Sequence, residues 1–332
     1  MPSFVQLGNS GLSVSRLCLG TMNFGNEQWG CDEPTSAKVI DAFLGAGHNF
    51  VDTANTYAGG RSEEIVGRAI AARRDEVVLA TKGYSPEGTG PNEWGNSRAN
   101  LVRSLENSLR RLGTDYVDLY QVHNWDWNTP IEETMATLDG FVRSGKVRYI
   151  GCSNWLGSQI VEGQWAAQRL ATTPLVSLQP QYSLIVREIE KDILPTAQRH
   201  GLGVIVWSPL GGGLLSGKYT IDDVPEDSRF GTSSGGDVWE MFRRTLFTEK
   251  NFEIVRKVGE VAASKDTSHA AVSVAWTLAQ PGVTSAIIGP RTVEQLEDNL
   301  AAADLELGPD VLKDLDRTSR GPWAYPNYMQ RR

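Results

Sequence analysis

The sequence predicts an α/β protein with the fold of a closed (β/α)8 TIM barrel, carrying an N-terminal β-hairpin and long loops at the C-terminal face. Eight short, mostly apolar runs alternate with amphipathic helical stretches, which is the order of a parallel sheet covered by helices. Eight strand–helix units in succession favour a closed barrel over an open sheet. The length of 332 residues, 40% of them hydrophobic, suits one barrel with insertions, so we expect a single domain over residues 1–332.

Local patterns mark the individual elements. Residues 3–15 predict the hairpin, because two short runs flank a turn sequence at residues 8–11. One helix is predicted at residues 97–112 by its stripe of leucines, and another at residues 131–144, where Gly145 supplies a C-terminal cap. The leucine stripe consists of Leu101, Leu105, Leu109 and Leu112. The strand candidates are residues 17–20, 50–52, 77–81, 117–122, 147–153, 175–179, 203–207 and 283–288.

Two segments depart from this alternation. Residues 209 to about 248 are rich in Gly, Asp and Ser, and they would form a long loop after the seventh strand. Residues from about 316 to 332 would form a C-terminal tail.

Charge and composition exclude several classes of function. A net charge of -8 disfavours nucleic acid or an anionic membrane as partner. Cys18, Cys31 and Cys152 are odd in number and lack a metal-ligand spacing, as expected of free thiols in a reducing compartment. The N-terminal residues do not resemble a signal peptide, and no apolar run approaches membrane-spanning length. We therefore expect a cytoplasmic protein that acts on a small molecule. The composition leaves open whether the protein forms a homo-oligomer.

Four polar residues come at the ends of three consecutive strand candidates. Asp52 ends the second strand and Tyr57 follows in the next loop, Lys82 comes directly after the third strand, and His123 directly after the fourth. In a barrel these side chains meet at the C-terminal mouth, where barrel enzymes keep their chemistry. Taken alone, each of these residues has an ordinary explanation: an aspartate that caps a helix or turn, a lysine whose ammonium is in solvent, a tyrosine at the rim or a histidine in the core. Four at the same end are much harder to explain in that way.

The chemistry of this tetrad is that of a proton donor. A tyrosine has a pKa of about 10 in water, and a neighbouring ammonium favours the phenolate. Lys82 would therefore lower the pKa of Tyr57, Asp52 would hold Lys82 in place, and His123 would hydrogen-bond the same substrate oxygen. Such a donor could protonate a carbonyl oxygen while hydride arrives at the carbon.

These motifs resemble those of the aldo-keto reductases. Residues 50–57 (FVDTANTY) and 62–67 (SEEIVG) are similar to the first signature of that family, and residues 101–113 and 115–123 to the second. The resemblance extends to about residue 300 and includes the branch of potassium-channel beta subunits. It implies a (β/α)8 barrel, a nicotinamide cofactor, usually NADP(H) in preference to NAD(H), and reduction of aldehydes or ketones to alcohols. Tyr57 would be the general acid, Asp52 and Lys82 would tune it, and His123 would orient the carbonyl.

The cofactor site must differ from a Rossmann site, since no Gly-x-Gly-x-x-Gly opens a helix after the first strand. Residues 212–218 match most of a phosphate loop but fail at Tyr219, where Ser or Thr should stand. By the resemblance, the strand ends bind the nicotinamide and Trp207 offers a flat face to its ring. Arg291 would favour the 2′-phosphate of NADPH, and Lys218 and Arg229 would clamp the pyrophosphate. The other cofactor candidates are Gly20, Thr21, Asp52, Ser153, Asn154, Gln179, Ser208, Pro209, Leu210, Gly211, Gly289, Gln295, Asp298 and Asn299.

Aromatic residues crowd the predicted loops at the mouth. Candidates for the substrate pocket are Phe24, Trp29, Tyr84, Trp94 and Trp125, with Trp127, Trp323, Tyr325 and Tyr328 nearby. They suggest an aromatic, cyclic or sugar-like carbonyl as substrate.

Two other functions compete with the reductase. A cofactor-sensing subunit with slow turnover would have the same residues, although an acidic chain without a further N-terminal segment favours the enzyme. A barrel hydrolase would need a second carboxylate at a strand end, but Asp126 lies in a loop and Asp118 within a strand. A metal site is not expected, because His48, His200 and His269 fall in or beside predicted helices.

Overall fold

Eight parallel strands close into a barrel in the computed structural model, which describes residues 2–26, 28–226, 228–231, 237–322 and 325–329, with only the backbone of residues 237–239. The strands pair in the order of the chain, and the last of them returns to pair with the first. They are β3 (Leu17–Gly20), β4 (Phe50–Asp52), β5 (Val78–Gly83), β6 (Val117–Val122), β7 (Val147–Ser153), β8 (Ser177–Gln179), β9 (Gly203–Val206) and β10 (Val283–Ile288). The predicted (β/α)8 barrel is confirmed.

A two-stranded hairpin closes the N-terminal end of the barrel. It consists of β1 (Phe4–Gln6) and β2 (Ser13–Ser15), paired antiparallel. Leu7 is fully buried in the cluster that fills the barrel interior. Gly8 has a φ of +58°, and a Cβ there would lie 2.5 Å from the backbone of Gly201 and Gly203, so only glycine fits.

Helices alternate with the strands, and most of them cover the outer face of the barrel. The helices are α1 (Glu33–Gly45), α2 (Arg61–Ile70), α3 (Arg98–Leu112), α4 (Ile131–Arg143), α5 (Gly157–Leu170), α6 (Ile193–Arg199), α7 (Asp237–Leu246), α8 (Glu249–Ser264), α9 (His269–Leu278), α10 (Val293–Leu300) and α11 (Pro309–Ser319). Of these, α7 contributes Phe242 to the cleft at the mouth. The Ser97 hydroxyl caps α3 by accepting from the backbone N–H of Asn100, and the four leucines of its predicted stripe are buried. None of the helices in the described ranges has both the length and the apolar character to cross a membrane.

The structure corrects several predicted boundaries. β5 continues to Gly83, so Lys82 lies within the strand; it pairs with Gln121 of β6, a long-range contact without a local signal. β8 begins only at Ser177, and β9 ends at Val206, with Trp207 in an isolated bridge to Gln181. The predicted long loop, which includes residues outside the described ranges, contains α7. The C-terminal tail begins only after α11, which ends at Ser319.

Candidate active site

A cleft of about 520 Å³ opens at the carboxyl ends of the strands. Asp52 is the last residue of β4, Tyr57 begins the short turn that follows (Tyr57–Gly60), and His123 comes directly after β6. Lys82 lies within β5, fully buried. Because these strands are parallel neighbours, their ends converge, and the four predicted residues are indeed brought together.

Lys82 makes the central contacts of this group. Its Nζ lies 2.5 Å from Asp52 Oδ1 and 2.9 Å from the Thr53 carbonyl oxygen, and it donates to Tyr57 Oη at 3.2 Å. Burial alone would lower the pKa of Lys82, but the Asp52 carboxylate and the Tyr57 oxygen raise it above its ordinary value. Lys82 is therefore a permanent cation beneath the tyrosine.

Two glutamines complete the partners of Asp52. Its Oδ2 accepts from Gln179 Nε2 at 2.9 Å and from Gln121 Nε2 at 3.3 Å. The side chain of Asp52 is only 2% exposed, so these bonds replace the water it has lost. Gln121 was not predicted; its position inside a strand gave no local sign that it faces the barrel interior.

The pKa of Tyr57 differs from the expectation. Burial of the phenol raises the pKa of Tyr57 above its ordinary value, although the charge of Lys82 acts in the opposite direction. The expectation of a lowered pKa took account of the ammonium but not of the lost water. Tyr57 consequently holds its proton at neutral pH, as a general acid must before it reacts.

His123 lies beside Tyr57, with ring centroids 6.0 Å apart in an edge arrangement. Its backbone is fixed at both ends: the N–H donates to the Gly83 carbonyl at 2.9 Å, and the carbonyl accepts from Asn154 Nδ2 at 3.1 Å. Burial first, and then the charge of Lys82, lower the pKa of His123 to about 3. Within the described residues its buried Nδ1 has no hydrogen-bond partner. The imidazole is therefore neutral at physiological pH.

The next part of the cleft has the polar groups and the flat face predicted for a nicotinamide. Trp207 donates through Nε1 to Asn154 Oδ1 at 3.0 Å, which fixes the plane of the indole. Ser153 Oγ donates to the Gln179 carbonyl at 2.7 Å, which leaves its lone pairs to accept from a ligand. Asn154 and Ser208 both adopt positive φ, 58° and 56°. Such strain is typical of functional sites.

The far end of the cleft is cationic. Lys218, Arg229 and Arg291 all line it. The Arg229 guanidinium carbon lies 4.7 Å from the centre of the Trp29 ring, and Arg291 donates through Nη1 to the Trp29 carbonyl at 3.3 Å. Burial and the charge of Arg291 lower the pKa of Arg229 to about 10. Three cations at one end suit phosphate groups, and the polar, flat surface at the other end suits a nicotinamide, so the residues fit a dinucleotide.

All of the predicted cofactor residues except Gly211 line the cleft. Gly211 is buried and its N–H donates to the Ser208 carbonyl at 2.9 Å, so it supports the loop without facing the cleft. The cofactor candidates that line the cleft are Gly20, Thr21, Asp52, Ser153, Asn154, Gln179, Trp207, Ser208, Pro209, Leu210, Lys218, Arg229, Gly289, Arg291, Gln295, Asp298 and Asn299. Lining residues that were not predicted are Met22, Asn23, Gly212, Gly213, Ser216, Phe242, Ala270, Ile287, Ile288 and Pro290.

The predicted substrate pocket needs larger corrections. Phe24 is fully buried in the core, and Trp29 lies beside the cations Arg229 and Arg291. Both residues belong to the loop after β3. This loop folds back onto itself, which the sequence did not predict. Tyr84 and Trp94 contact each other edge to face, and Trp125 packs on Trp155; none of these three is among the lining residues.

The tail contributes no described lining residue. Tyr325 and Tyr328 are exposed and contact each other. Trp323 lies outside the described residues.

The carboxylates that a hydrolase would need have structural partners. Asp118 pairs with Arg74 at 2.8 Å. Asp126 accepts from the backbone N–H groups of Asn96 and Asn128 and from the Thr129 hydroxyl. Both carboxylates hold loops together and neither lines the cleft.

Comparisons with known proteins agree with this geometry. The model of the Aldo/keto reductase family matches residues 16–320. A Bacillus subtilis protein named "Uncharacterized oxidoreductase YrpG" is 42% identical over 330 residues, which cover 96% of each chain. A probable voltage-gated potassium channel subunit beta of Oryza sativa is 35% identical, covering 94% of this chain and 95% of its own. Norsolorinic acid reductase of Aspergillus flavus is also 35% identical, covering 93% of this chain and 78% of its own.

Proposed function

Because the chain belongs to the aldo/keto reductase family, we propose that it catalyses the reversible reduction of an aldehyde or ketone to an alcohol, with NADPH as cofactor. The observation that carries the proposal is the position of Lys82 Nζ, 2.5 Å from Asp52 and 3.2 Å from the Tyr57 hydroxyl. The hydroxyl faces a cleft with a flat polar surface near it and cations at the far end.

Tyr57 supplies the proton in this mechanism. A bound nicotinamide supplies the hydride to the carbonyl carbon. As negative charge develops on the substrate oxygen, the Tyr57 hydroxyl donates its proton, and the buried ammonium of Lys82 stabilises the phenolate left behind. Asp52 keeps Lys82 charged and in place. Neutral His123 donates through one ring nitrogen to the same oxygen and so orients the carbonyl.

The groups along the cleft hold the cofactor. Ser153, Asn154 and Gln179 bind the carboxamide, and Trp207 supports the ring. Lys218 and Arg229 bind the pyrophosphate. Arg291 binds the 2′-phosphate, which is the basis for preferring NADPH to NADH.

We propose an aromatic, cyclic or sugar-like carbonyl as substrate. The loops that follow β5 and β6 carry the paired aromatics Tyr84–Trp94 and Trp125–Trp127. None of these four side chains lines the cleft itself, but Trp94 and Trp127 are exposed and offer apolar faces to a flat molecule approaching from solvent. A substrate panel in which only short aliphatic aldehydes turn over would contradict this.

The experiment that tests the function is a fluorescence titration with NADPH and with NADH, followed by NADPH oxidation with a panel of aldehydes and ketones. We expect tighter binding of NADPH and turnover with some carbonyl. Tyr57→Phe should lower kcat by about 10²–10⁴-fold, the usual contribution of a general acid, and leave the Kd for NADPH nearly unchanged. Tyr116→Phe, outside the cleft, is the control and should behave as wild type.

A second candidate function is that of a cofactor-binding subunit with slow turnover. It is favoured by the similarity to proteins named as probable potassium channel beta subunits. Tight NADPH binding without turnover on any carbonyl would support it, whereas absence of NADPH binding would contradict both functions.

A further inference from the structure

Trp29 connects three segments that meet at the cationic end of the cleft. It lies in the loop between β3 and α1 and is only 8% exposed. Its backbone N–H donates to Asn26 Oδ1 at 3.1 Å, and its backbone carbonyl accepts from Arg291, which follows β10. Its indole faces the guanidinium of Arg229, which belongs to the segment after β9, at 4.7 Å. The backbone of Trp29 is thus fixed by its own loop and by Arg291, and the indole lies against a cation from another loop.

The contact with the indole adds to the stabilisation of a charge that part of its surroundings disfavours. Burial, and then the nearby charge of Arg291, lower the pKa of Arg229. An aromatic face attracts a cation, more strongly when both are shielded from water. A guanidinium can contact an aromatic ring through its flat face, which leaves its in-plane N–H groups directed elsewhere. A stacked arginine can therefore be held in one plane without using the donors that would bind a phosphate.

We propose that Trp29 is a positioning residue for the dinucleotide: its indole holds Arg229 in the plane and place from which the guanidinium binds the phosphate groups, and so slows cofactor release. This inference rests on the proposed function. It replaces the substrate-pocket role expected of Trp29 with one at the opposite end of the cleft. The loop after β3 thereby contributes to cofactor binding through a residue that itself carries no charge.

The test measures the release rate of NADPH from the loaded protein, by stopped-flow displacement with excess NADP⁺. Trp29→Leu keeps an apolar side chain but removes the aromatic face, and we expect release about tenfold faster, as for loss of a shielded cation–π contact. Trp29→Phe keeps a smaller face, so release should be only about threefold faster. Arg229→Met removes the charge and with it the cation–π contact with the indole.

Two comparisons distinguish a role of Trp29 in positioning Arg229 from a role in packing the loop. In a double-mutant cycle, Trp29→Leu should have little further effect in the Arg229→Met background, because the cation that the indole contacts is already absent. Trp165→Leu is the matched control: Trp165 also stacks on an arginine, Arg169 at 4.9 Å, but on the exposed face of α5. We expect that control to release NADPH at the wild-type rate, and the unloaded Trp29→Phe protein to unfold at nearly the wild-type temperature.

The outcomes are distinct. Wild-type release rates in both Trp29 variants would overturn the inference, and so would a Trp29→Leu effect of equal size in the presence and absence of Arg229. Equal release rates for Trp29→Phe and Trp29→Leu would overturn it as well, because the aromatic face would then be irrelevant. Failure of the wild-type protein to bind NADPH would instead overturn the proposed function, and this inference with it.

Discussion

His123 shows how a single residue near a cation is kept neutral. The imidazole is partly buried at the wall of the cleft, and the ammonium of Lys82 lies close by; both effects disfavour a second positive charge. A neutral imidazole can still donate one hydrogen bond to a carbonyl oxygen, whereas an imidazolium would compete with Tyr57 as the acid.

This neutrality predicts a pH dependence of stability. The pKa of His123 is about 3 in the folded protein and about 6.5 in the unfolded chain. As the pH falls below 6.5, the unfolded state binds a proton that the folded state does not, so folding loses free energy, by about 2 kcal/mol at pH 5. His123→Gln removes this contribution. Denaturant unfolding at pH 7.5 and pH 5 should show the wild type losing about 2 kcal/mol more than the variant. Equal losses would mean that the histidine accepts its proton normally when folded.

At the scale of elements, a buried ion pair joins α2, α3 and β5 behind the tetrad. Glu63 of α2 is fully buried; it accepts from Thr81 Oγ1 at 2.5 Å and from Arg111 Nε at 2.7 Å. Arg111 of α3 also binds Glu87 in the loop after β5. It packs against Gly60, where a Cβ would lie 2.7 Å from its side chain. The turn that carries Tyr57 therefore rests on this pair.

Neighbouring glutamates allow a matched comparison. Glu63→Ala would leave the buried Thr81 hydroxyl without its partner and Arg111 with Glu87 alone, and should lower the free energy of unfolding by about 3 kcal/mol. Glu64→Ala removes an exposed carboxylate from the same helix and should change it by less than about 0.5 kcal/mol. Chemical denaturation of both variants is the measurement. Equal effects would show that Glu63 is hydrated rather than locked in the pair.

The sequence predicted elements well where the signal is local, and less well where it depends on a distant partner. The leucines of α3 repeat at helical spacing, and Ser97 and Gly113 delimit the helix within a few residues. The extension of β5 through Lys82 depends on pairing with β6, some 40 residues later, so local composition could not show it. Phe24 and Trp29 lie in the same loop, yet one enters the core and the other the cleft. That outcome is decided by tertiary packing.

At the scale of the whole molecule, stability and chemistry are located at opposite ends of the barrel. The hairpin closes the N-terminal end through Leu7, while every residue of the proposed mechanism lies at the C-terminal end. The overall architecture was predictable because eight strand–helix units admit few topologies. Which loop residues face the cofactor and which face the substrate was only partly predictable, since this depends on how the loops fold over the mouth of the barrel.

This separation predicts a variant with altered stability and intact binding. Leu7→Ala should lower the free energy of unfolding by about 3 kcal/mol through the cavity it leaves. The Kd for NADPH at a temperature where the variant is folded should stay within about twofold, because Leu7 is remote from the cleft. Phe4→Ala, at a side chain 49% exposed on the same hairpin, is the control and should cost less than about 1 kcal/mol. A large change in NADPH affinity would show that the two ends are coupled.

Closure of the barrel also has a consequence for biosynthesis. Leu17 of β3 pairs with Ala286 of β10. One edge of β3, the first strand of the barrel, therefore has no hydrogen-bonding partner until β10, the last strand, has been synthesised. While the ribosome is still translating the intervening residues, the nascent sheet has an open edge at each side, the kind of surface at which chains aggregate. The completed barrel has no such edge. Protection by chaperones is therefore needed most during the interval before β10 emerges, and least once the ring is closed.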